Sequence, residues 1–596
     1  MSVAPQRKYN VWQPLIIVIS IFTLLLIPRL FGDSIPRAGL ENGIVASRLV
    51  PGETGFWDLT NDAAFAELDE ISYMPLGYWM ESVAMHIVGD SIHFDVWYSF
   101  FLFLVGAVVM FFIWINLGNG AHSFWVPLLL YMAVPLHLRS ATANYIEMPV
   151  TIFLMLSSLL YVRGFSKTLR YTGHGEHAEM RRLSDPTRHY SFGRGFNMFF
   201  VGLLLSLAFM VNGMSVLFPL LLPVLMWCMD PNRKGNWRPF VDLGIIMGAI
   251  ILFCLILCLI DPGMLEGIRS YWVSRRTGAL SQSRSVASHF YCFYQTLVQL
   301  LMPMVVSMLV LIPVMLEHKL KKYALYWRYQ DELTNTEMRL ITVGHACMIT
   351  GFLGLVPIAF SLRQYDYYTL PSLPYFILGL SCYVVQSSEL MLFKLTKLGR
   401  TLLSIMGFVL PVVAILMFLN SAFSSREEGT AVSELHRMLP YLEQNEAVGV
   451  AQSVMPNSVE ALHMRRHKNI VLTPDVYSRH LLLKFDEYYR LHRKNDYVEV
   501  ELGNNIYHLY ECANPDLLGK SFHDRDLPRE MVSKNILATE GGNIAKVEDE
   551  MYADEEYVDP MFVRSIKAPQ AKDNTPTQEK KPQSGTQMER QMIKHQ

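Results

Sequence analysis

Apolar residues along the chain fall in long uncharged blocks. LIIVISIFTLLLI (15–27), FFLFLVGAVVMFFIWI (100–115) and GIIMGAIILFCLILCLI (244–260) hold no charged side chain. A soluble core cannot bury many such runs, whereas a bilayer takes about 20 apolar residues per helical crossing. The blocks predict eleven spans, near 11–31, 94–116, 122–138, 148–163, 197–212, 214–230, 240–260, 296–316, 340–361, 369–387 and 401–423. Arg7 and Lys8 precede the first, as in a signal peptide. Its apolar run is too long for one, and no small-residue cleavage site follows, so a retained helix is expected.

Past residue 424 the pattern turns polar and mixed. SELHRMLPYLEQN reads as a helix, EAVGVAQS and NIVLTP as short apolar runs, and RHLLLKFDEYYRLHRK as a charged helix. YVEVELGNNIYHLYEC reads as a hairpin turning at Gly-Asn-Asn. The expected fold class is an all-α polytopic membrane protein with about 11 transmembrane helices and a small C-terminal α/β soluble domain. Its parts are a transmembrane module over 1–424 with long loops at 32–93 and 261–295, an α/β domain over 425–514, and a polar tail over 515–596 expected to be disordered.

Composition sharpens this picture. Of 596 residues, 51% are hydrophobic and 17% charged, and mean hydropathy is +0.23. Soluble domains carry about 25% charged residues, so a soluble enzyme and a disordered chain are both excluded. Lys and Arg (51) nearly balance Asp and Glu (53), without the basic excess that nucleic acid requires. Of the 7 cysteines, only Cys292 and Cys512 fall where water is expected. No Cys-x-x-Cys occurs, and no His/Cys cluster with zinc spacing is read. Neither a disulfide framework nor a structural metal is therefore expected.

Charge also sets orientation. With the N-terminus inside, the inner loops carry Arg163, Lys167, Arg170, Arg181, Arg182, Arg188 and Arg194, then Arg233, Lys234 and Arg238, and later basic groups around 319–339 and 394–400. The positive-inside rule supports that frame and puts the C-terminal domain outside. In the first outer loop, YMPLGYWMESVAMHIVGDSIHF (73–94) is amphipathic and aromatic, so an interfacial helix is expected. The second outer loop holds Arg269, Arg275, Arg276, Arg284 and His289, against the charge rule.

Four places carry candidate chemistry. Asp33 follows the first span and is either a proton acceptor or a helix cap or solvated loop acid; Glu41 has the same alternatives. Glu147, before Pro149, is either a functional acid at a span's mouth or the start of a helix. Arg275 and Arg276 suit a phosphate, with His289 a weaker member, or else they answer the acids of the first loop. Arg363, Tyr365, Asp366 and Tyr368 crowd one short outer turn, which favours lining a site over plain interface anchoring.

The order of these pieces resembles the bacterial GT-C glycosyltransferases that use polyprenyl-phosphate sugars: the lipid A aminoarabinose transferases and, more distantly, the protein O-mannosyltransferases. The likeness runs over about 30–385, through GDSIPRAGLENG, ISYMPLGYWMESVAMHIVGDSIHF, YIEMPVTIFL, LAFMVNGMSVLFPLLLP, SYWVSRRTGALSQSRSVASHFYCFYQTL and SLRQYDYYTLPSLPYFILG. Two family lysines are replaced, one by Met74 and one by Asn212, and the family's acidic pair is reduced to Asp33 and Ser34. The resemblance implies an inverting, GT-C-like transferase of the bacterial inner membrane. Its donor would be a polyprenyl-phosphate sugar held among membrane lipids, and its acceptor a lipid, glycan or protein. Asp33 would be the base, with Glu41 its rival, and Glu147 would position the acceptor or assist a divalent metal. Arg275, Arg276, Arg363 and His289 would hold the donor phosphate. Tyr78, Trp79, Tyr365 and Tyr368 would line the substrate. A transporter or lipid flippase, or a catalytically silent scaffold, are the alternatives.

Overall fold

The computed structural model describes residues 12–31, 35–49, 55–57, 74–91, 93–117, 121–168, 192–229, 237–261, 263–269, 290–321, 335–359, 365–393, 397–423, 431–450, 459–474, 478–484, 497–500, 502, 507–513 and 518. All lie within one compact unit, Met1–Ser521.

Helices dominate. In chain order they are α1 (Gln13–Leu30), α2 (Arg37–Arg48), α3 (Leu76–Val88), α4 (Phe94–Asn116), α5 (Trp125–Met132), α6 (Pro135–Ser140), α7 (Glu147–Thr168), α8 (Phe192–Asn212), α9 (Leu222–Met229), α10 (Arg238–Ile260), α11 (Tyr291–Lys321), α12 (Asn335–Ala359), α13 (Leu373–Phe393) and α14 (Lys397–Phe423). Among the described residues, seven helical stretches are long and apolar enough to cross a membrane. Two shorter apolar helices, Phe218–Met229 and Leu373–Val385, accompany them. The α10 and α14 stretches bury only 11% and 6% of their apolar windows inside the protein. Water would leave that surface unfavourably exposed, whereas lipid matches it.

Among the described residues, seven of the eleven expected spans coincide with these long apolar stretches; those at 122–138, 148–163, 214–230 and 369–387 do not, and two of these four change form along their length. The block at 122–138 breaks at Val134–Pro135 into α5 and α6, because proline cannot continue the preceding helix. The block at 214–230 opens with two 3-10 turns, Gly213–Val216 and Phe218–Leu221, before α9. Gly213 has φ +71°, a left-handed conformation that glycine enters without steric cost and that ends α8 at Asn212.

Close helix contacts rest on small residues. A Cβ on Gly202 would lie 2.6 Å from Ala249 Cβ and from the Ile246 carbonyl, so α8 and α10 meet nearly backbone to backbone. At the start of α8, Arg194 donates to both Asp242 oxygens, and the Asp242 side chain is fully buried. Asn212 ends the same helix, about 27 Å away by the rise per residue. Amphipathic α3 is present as expected. Gly77, Tyr78, Glu81, Ser82 and Met85 face inward, while Ile87 and Val88 are exposed.

The C-terminal part combines α15 (Ala431–Met438) and α16 (Val459–Lys468) with five strands: β1 (Ala447–Val450), β2 (Val471–Pro474), β3 (His480–Lys484), β4 (Tyr497–Val500) and β5 (Tyr507–Cys512). Sheet order is β2-β1-β3-β5-β4, with β1 parallel to β2 and β3 and the remaining pairs antiparallel. The hairpin is β4 and β5. The helix expected across 479–494 is corrected over its start. His480–Lys484 is the middle strand of the sheet, with Leu481, Leu482 and Leu483 all buried. A strand covered on both faces reads as an unbroken apolar run, which periodicity cannot separate from a short helix. Leu435, Met438, Val448, Val450, Met464, Leu472, Leu482 and Leu509 form this part's core.

Helix α16 serves two cores. Ala461 and Met464 face the sheet, whereas Leu462 joins the core of the helical bundle. Arg466, one turn beyond Leu462, follows the same face inward and is itself buried.

Candidate functional site

Glu147 begins α7, with Pro149 in the first turn, where a fixed φ and a missing N–H cost least. The side chain is fully buried. Before it the chain turns through Asn144, whose φ is +51°. That conformation strains most side chains, and here a set of hydrogen bonds holds it. Asn144 N–H donates to Ser99 Oγ at 2.8 Å, its side-chain amide donates to the Gly39 carbonyl at 3.2 Å and to Glu81 Oε1 at 2.6 Å, and its carbonyl accepts from Asn42 at 3.0 Å. One residue thus ties α2, α3 and α4 to the turn that carries Glu147.

Aromatic rings and an ion pair flank that turn. Tyr145 stacks on Tyr367 with centroids 4.8 Å apart, and Tyr367 stacks on Tyr365 at 5.2 Å. Arg139, at the end of α6, pairs with Asp366. Burial raises the Tyr145 pKa, the Arg139 charge opposes that rise and the Glu147 charge adds to it, so all three side chains share one electrostatic environment.

Beside this cluster is a small cavity of about 30 Å³ lined by Asn212, Ser215, Phe218, Gly354, Tyr368 and Ser372, among others. Asn212 and Ser372 are buried polar groups in a wall that also carries Ser215 and Tyr368. Continuity with α3 follows from Gly77, where a Cβ would lie 2.6 Å from Ile146 and 2.9 Å from Val211. Met74, where the resemblance places a lysine, is buried among Phe209, Met210 and Met264. An ammonium in that apolar surrounding would lose its hydration without repayment.

Three sequence candidates, Glu147, Tyr365 and Tyr368, therefore meet Asn212 at one end of the bundle, with Tyr78 buried in α3 nearby. Trp79 donates its indole N–H to the Phe56 carbonyl at 3.2 Å and stacks on the Phe56 ring. Glu41 accepts from Arg37 Nε at 2.8 Å, an i,i+4 pair on α2. Asp33, Arg275, Arg276, His289 and Arg363 lie outside the described residues. Cys292, expected in water, is buried and bonds toward the Leu355 carbonyl.

Sequence reasoning missed four polar participants: Arg139, Glu81, Asn144 and Arg466. Burial raises the Glu81 pKa to about 8, with Asp95 and Asp90 adding to the rise and Asn144 and Arg466 opposing it. Glu81 was visible as the one acid in an otherwise apolar stretch of α3. Arg466 lies far along the chain yet donates to Asp95 and Asp90 on the bundle side, at 2.9–3.2 Å. Gly43 leaves room for it, since a Cβ there would lie 2.7 Å from Arg466 Nε.

No protein-family model matches the chain, and no curated protein matches it in sequence. Among solved structures, ArnT from Cupriavidus metallidurans is similar at 12% identity, covering 85% of this chain and 99% of that one. Its TM-score is 0.46 in the apo state and 0.47 when bound to undecaprenyl phosphate. ArnT is a lipid A aminoarabinose transferase, the group whose motif order the sequence resembles. The archaeal oligosaccharyltransferase AglB from Archaeoglobus fulgidus, in complex with an inhibitory peptide and a dolichol-phosphate, is similar at 9% identity. The match covers 80% of this chain and 70% of that one, with a TM-score of 0.40.

Proposed function

We propose that the chain is a membrane glycosyltransferase that moves a sugar from a polyprenyl phosphate to a lipid, glycan or protein acceptor, at the outer face of the bacterial inner membrane. One observation carries this reading. Buried Glu147, the Arg139–Asp366 pair, the Tyr145–Tyr367–Tyr365 stack and the Asn212-lined cavity converge at one end of an apolar helical bundle. A transporter would instead place its charges midway along broken helices.

In the proposed step an acceptor hydroxyl or amine attacks the anomeric carbon, and the bond from that carbon to the phosphate oxygen breaks with inversion. Asp33 takes the acceptor's proton, and the polyprenyl phosphate leaves with the bonding pair. Glu147 positions the acceptor, or assists a divalent metal if one is used. Arg275, Arg276 and Arg363 hold the leaving phosphate, His289 supports them, and Tyr78, Trp79, Tyr365 and Tyr368 line the donor and acceptor. Forked guanidinium donors suit a phosphate whose negative charge grows as the bond breaks. The N-terminus is assigned to the cytoplasm and the sheet-bearing part to the outside.

The test is transfer of labelled sugar from polyprenyl-phosphate donors by the purified chain in proteoliposomes. Turnover that Glu147→Gln and Asp33→Asn abolish supports the reading, whereas binding of donors without any transfer rejects it. A second reading, a silent scaffold, is favoured by one feature. Met74 packs among apolar side chains where the resembling family carries a lysine. Donor binding without turnover is its signature.

A further inference from the structure

Helices α15 and α16 bring three imidazoles together, beside Arg466. His463 and His467 are four residues apart on α16 and so share one face, and His436 sits in the last turn of α15. Ring centroids are 5.6 Å apart for His436 and His463, 5.3 Å for His436 and His467, and 6.4 Å for His463 and His467. One nitrogen of each ring lies within 4.8 Å of the other two. His463 is buried and the other two are half-buried.

We propose that His436, His463 and His467 bind a divalent transition-metal cation of the zinc class. Three neutral nitrogens make a donor set that borderline ions such as Zn²⁺, Co²⁺ or Ni²⁺ favour, and that the oxygen-seeking Mg²⁺ and Ca²⁺ do not. The geometry is close to what is needed. Zinc–nitrogen bonds of about 2.0–2.1 Å in a tetrahedron put the nitrogens about 3.3–3.4 Å apart. Side-chain rotations that draw the rings together by about 1.5 Å would complete the set.

The Arg466 charge beside His467 is answered by two carboxylates, Asp90 and Asp95. Edge-to-face packing of the rings, at 79° and 78° between His436 and the other two, is the bland alternative. Packing alone does not explain why three rings, each with two polar nitrogens, stand where an aliphatic side chain would fill the space at less desolvation cost. A bound cation would tie α15 to the helix that carries Arg466.

The test uses the full chain, purified in detergent through a tag without histidines and stripped with chelator. Zinc titration calorimetry is run on the wild type, His463→Ala and His436→Asn, with Mg²⁺ as a control. X-ray absorption is measured on the zinc-loaded wild type. The proposal expects one zinc per chain, a first shell containing three imidazole nitrogens, and affinity lower by at least about tenfold in each monodisperse variant. No retained zinc, a shell of oxygens, or equal affinity in the wild type and His436→Asn would overturn it. Half-exposed His436 decides the matter if His463→Ala aggregates, and the absorption shell of the wild type decides it if both variants do.

Discussion

Arg466 donates to Asp95 Oδ1 from Nη2 at 2.9 Å and to Oδ2 from Nε at 3.2 Å, across 371 residues of chain. Both side chains are almost fully buried, and Asp90 accepts two further bonds from the same guanidinium. Burial works against the Arg466 charge, but Asp95 and Asp90 together hold its pKa above the ordinary value. The fork thus fastens a helix of the C-terminal part to the first turn of α4 and to Asp90 before it. Its planar donors match two carboxylates in a way that a lysine ammonium cannot.

Removing the guanidinium leaves Asp95 buried without its cation. Arg466→Ala is expected to cost about 3–5 kcal/mol and to lower the melting temperature sharply. Arg466→Met combined with Asp95→Asn removes both charges and is expected to recover much of that loss. A thermal melt of the three proteins in one detergent checks this. An unchanged melt for Arg466→Ala would mean that the fork holds nothing together.

Gly43 offers a sharper check of the same contact. A methyl group there would lie 2.7 Å from Arg466 Nε and 2.9 Å from Asp95 Oδ2. Gly43→Ala should therefore destabilise the wild type and cost less once Arg466 is alanine, when only the approach to Asp95 Oδ2 remains. The expected coupling in the double-mutant cycle is about 0.5–3 kcal/mol. Strict additivity would place Gly43 and Arg466 apart.

Glu81 predicts a pH dependence. Its folded pKa of about 8 stands above the ordinary 4.5, so the native state holds a proton that the unfolded chain releases between those values. Its stabilising contribution is complete below about pH 4.5 and is lost as pH rises through about 8. Over that window stability falls by up to about 1.4 kcal/mol per pH unit from this group. Glu81→Gln keeps a neutral side chain that can still bond to Asn144. Melting temperatures from pH 5 to 8 should therefore decline less steeply in the variant. Parallel declines would assign the slope to other groups.

Seven of the eleven expected spans were legible because long uncharged blocks leave few alternatives, and the β4–β5 hairpin was legible from alternation around Gly-Asn-Asn. β3 was not, because the unbroken Leu481–Leu483 run hides its period. Part of the proposed site was visible as well, since Glu147, Tyr365 and Tyr368 stand out as polar groups beside apolar blocks. Asn144 did not, because its role comes from a left-handed turn that joins three distant helices. The three-histidine cluster was not read, because His463 and His467 make only a pair in HMRRH and His436 joins them through the packing of α15 on α16. Arg466 is one of four basic residues in RRHK, and its partners are set by tertiary contact alone.

The acids separate by what already holds them. Glu41 pairs with Arg37 one turn away on α2, and the Arg37 side chain is 39% exposed, the arrangement of a modest helix-stabilising ion pair. Glu147 is fully buried at a helix start beside the tyrosine cluster. Under the proposed mechanism, Glu147→Gln keeps the shape but removes the charge, so kcat should fall by about 10²–10⁴-fold while donor affinity persists. Asp33→Asn should behave alike if Asp33 is the base. Glu41→Gln should lose at most about 1 kcal/mol of stability and keep its turnover. The measurement is single-turnover sugar transfer in proteoliposomes, alongside donor Kd and a melt for each variant. Full turnover in Asp33→Asn together with loss in Glu41→Gln would move the base to Glu41 and demand that the Arg37 pair open during the reaction. Full turnover in Glu147→Gln would reduce Glu147 to a helix-starting residue and remove the buried acid from the site.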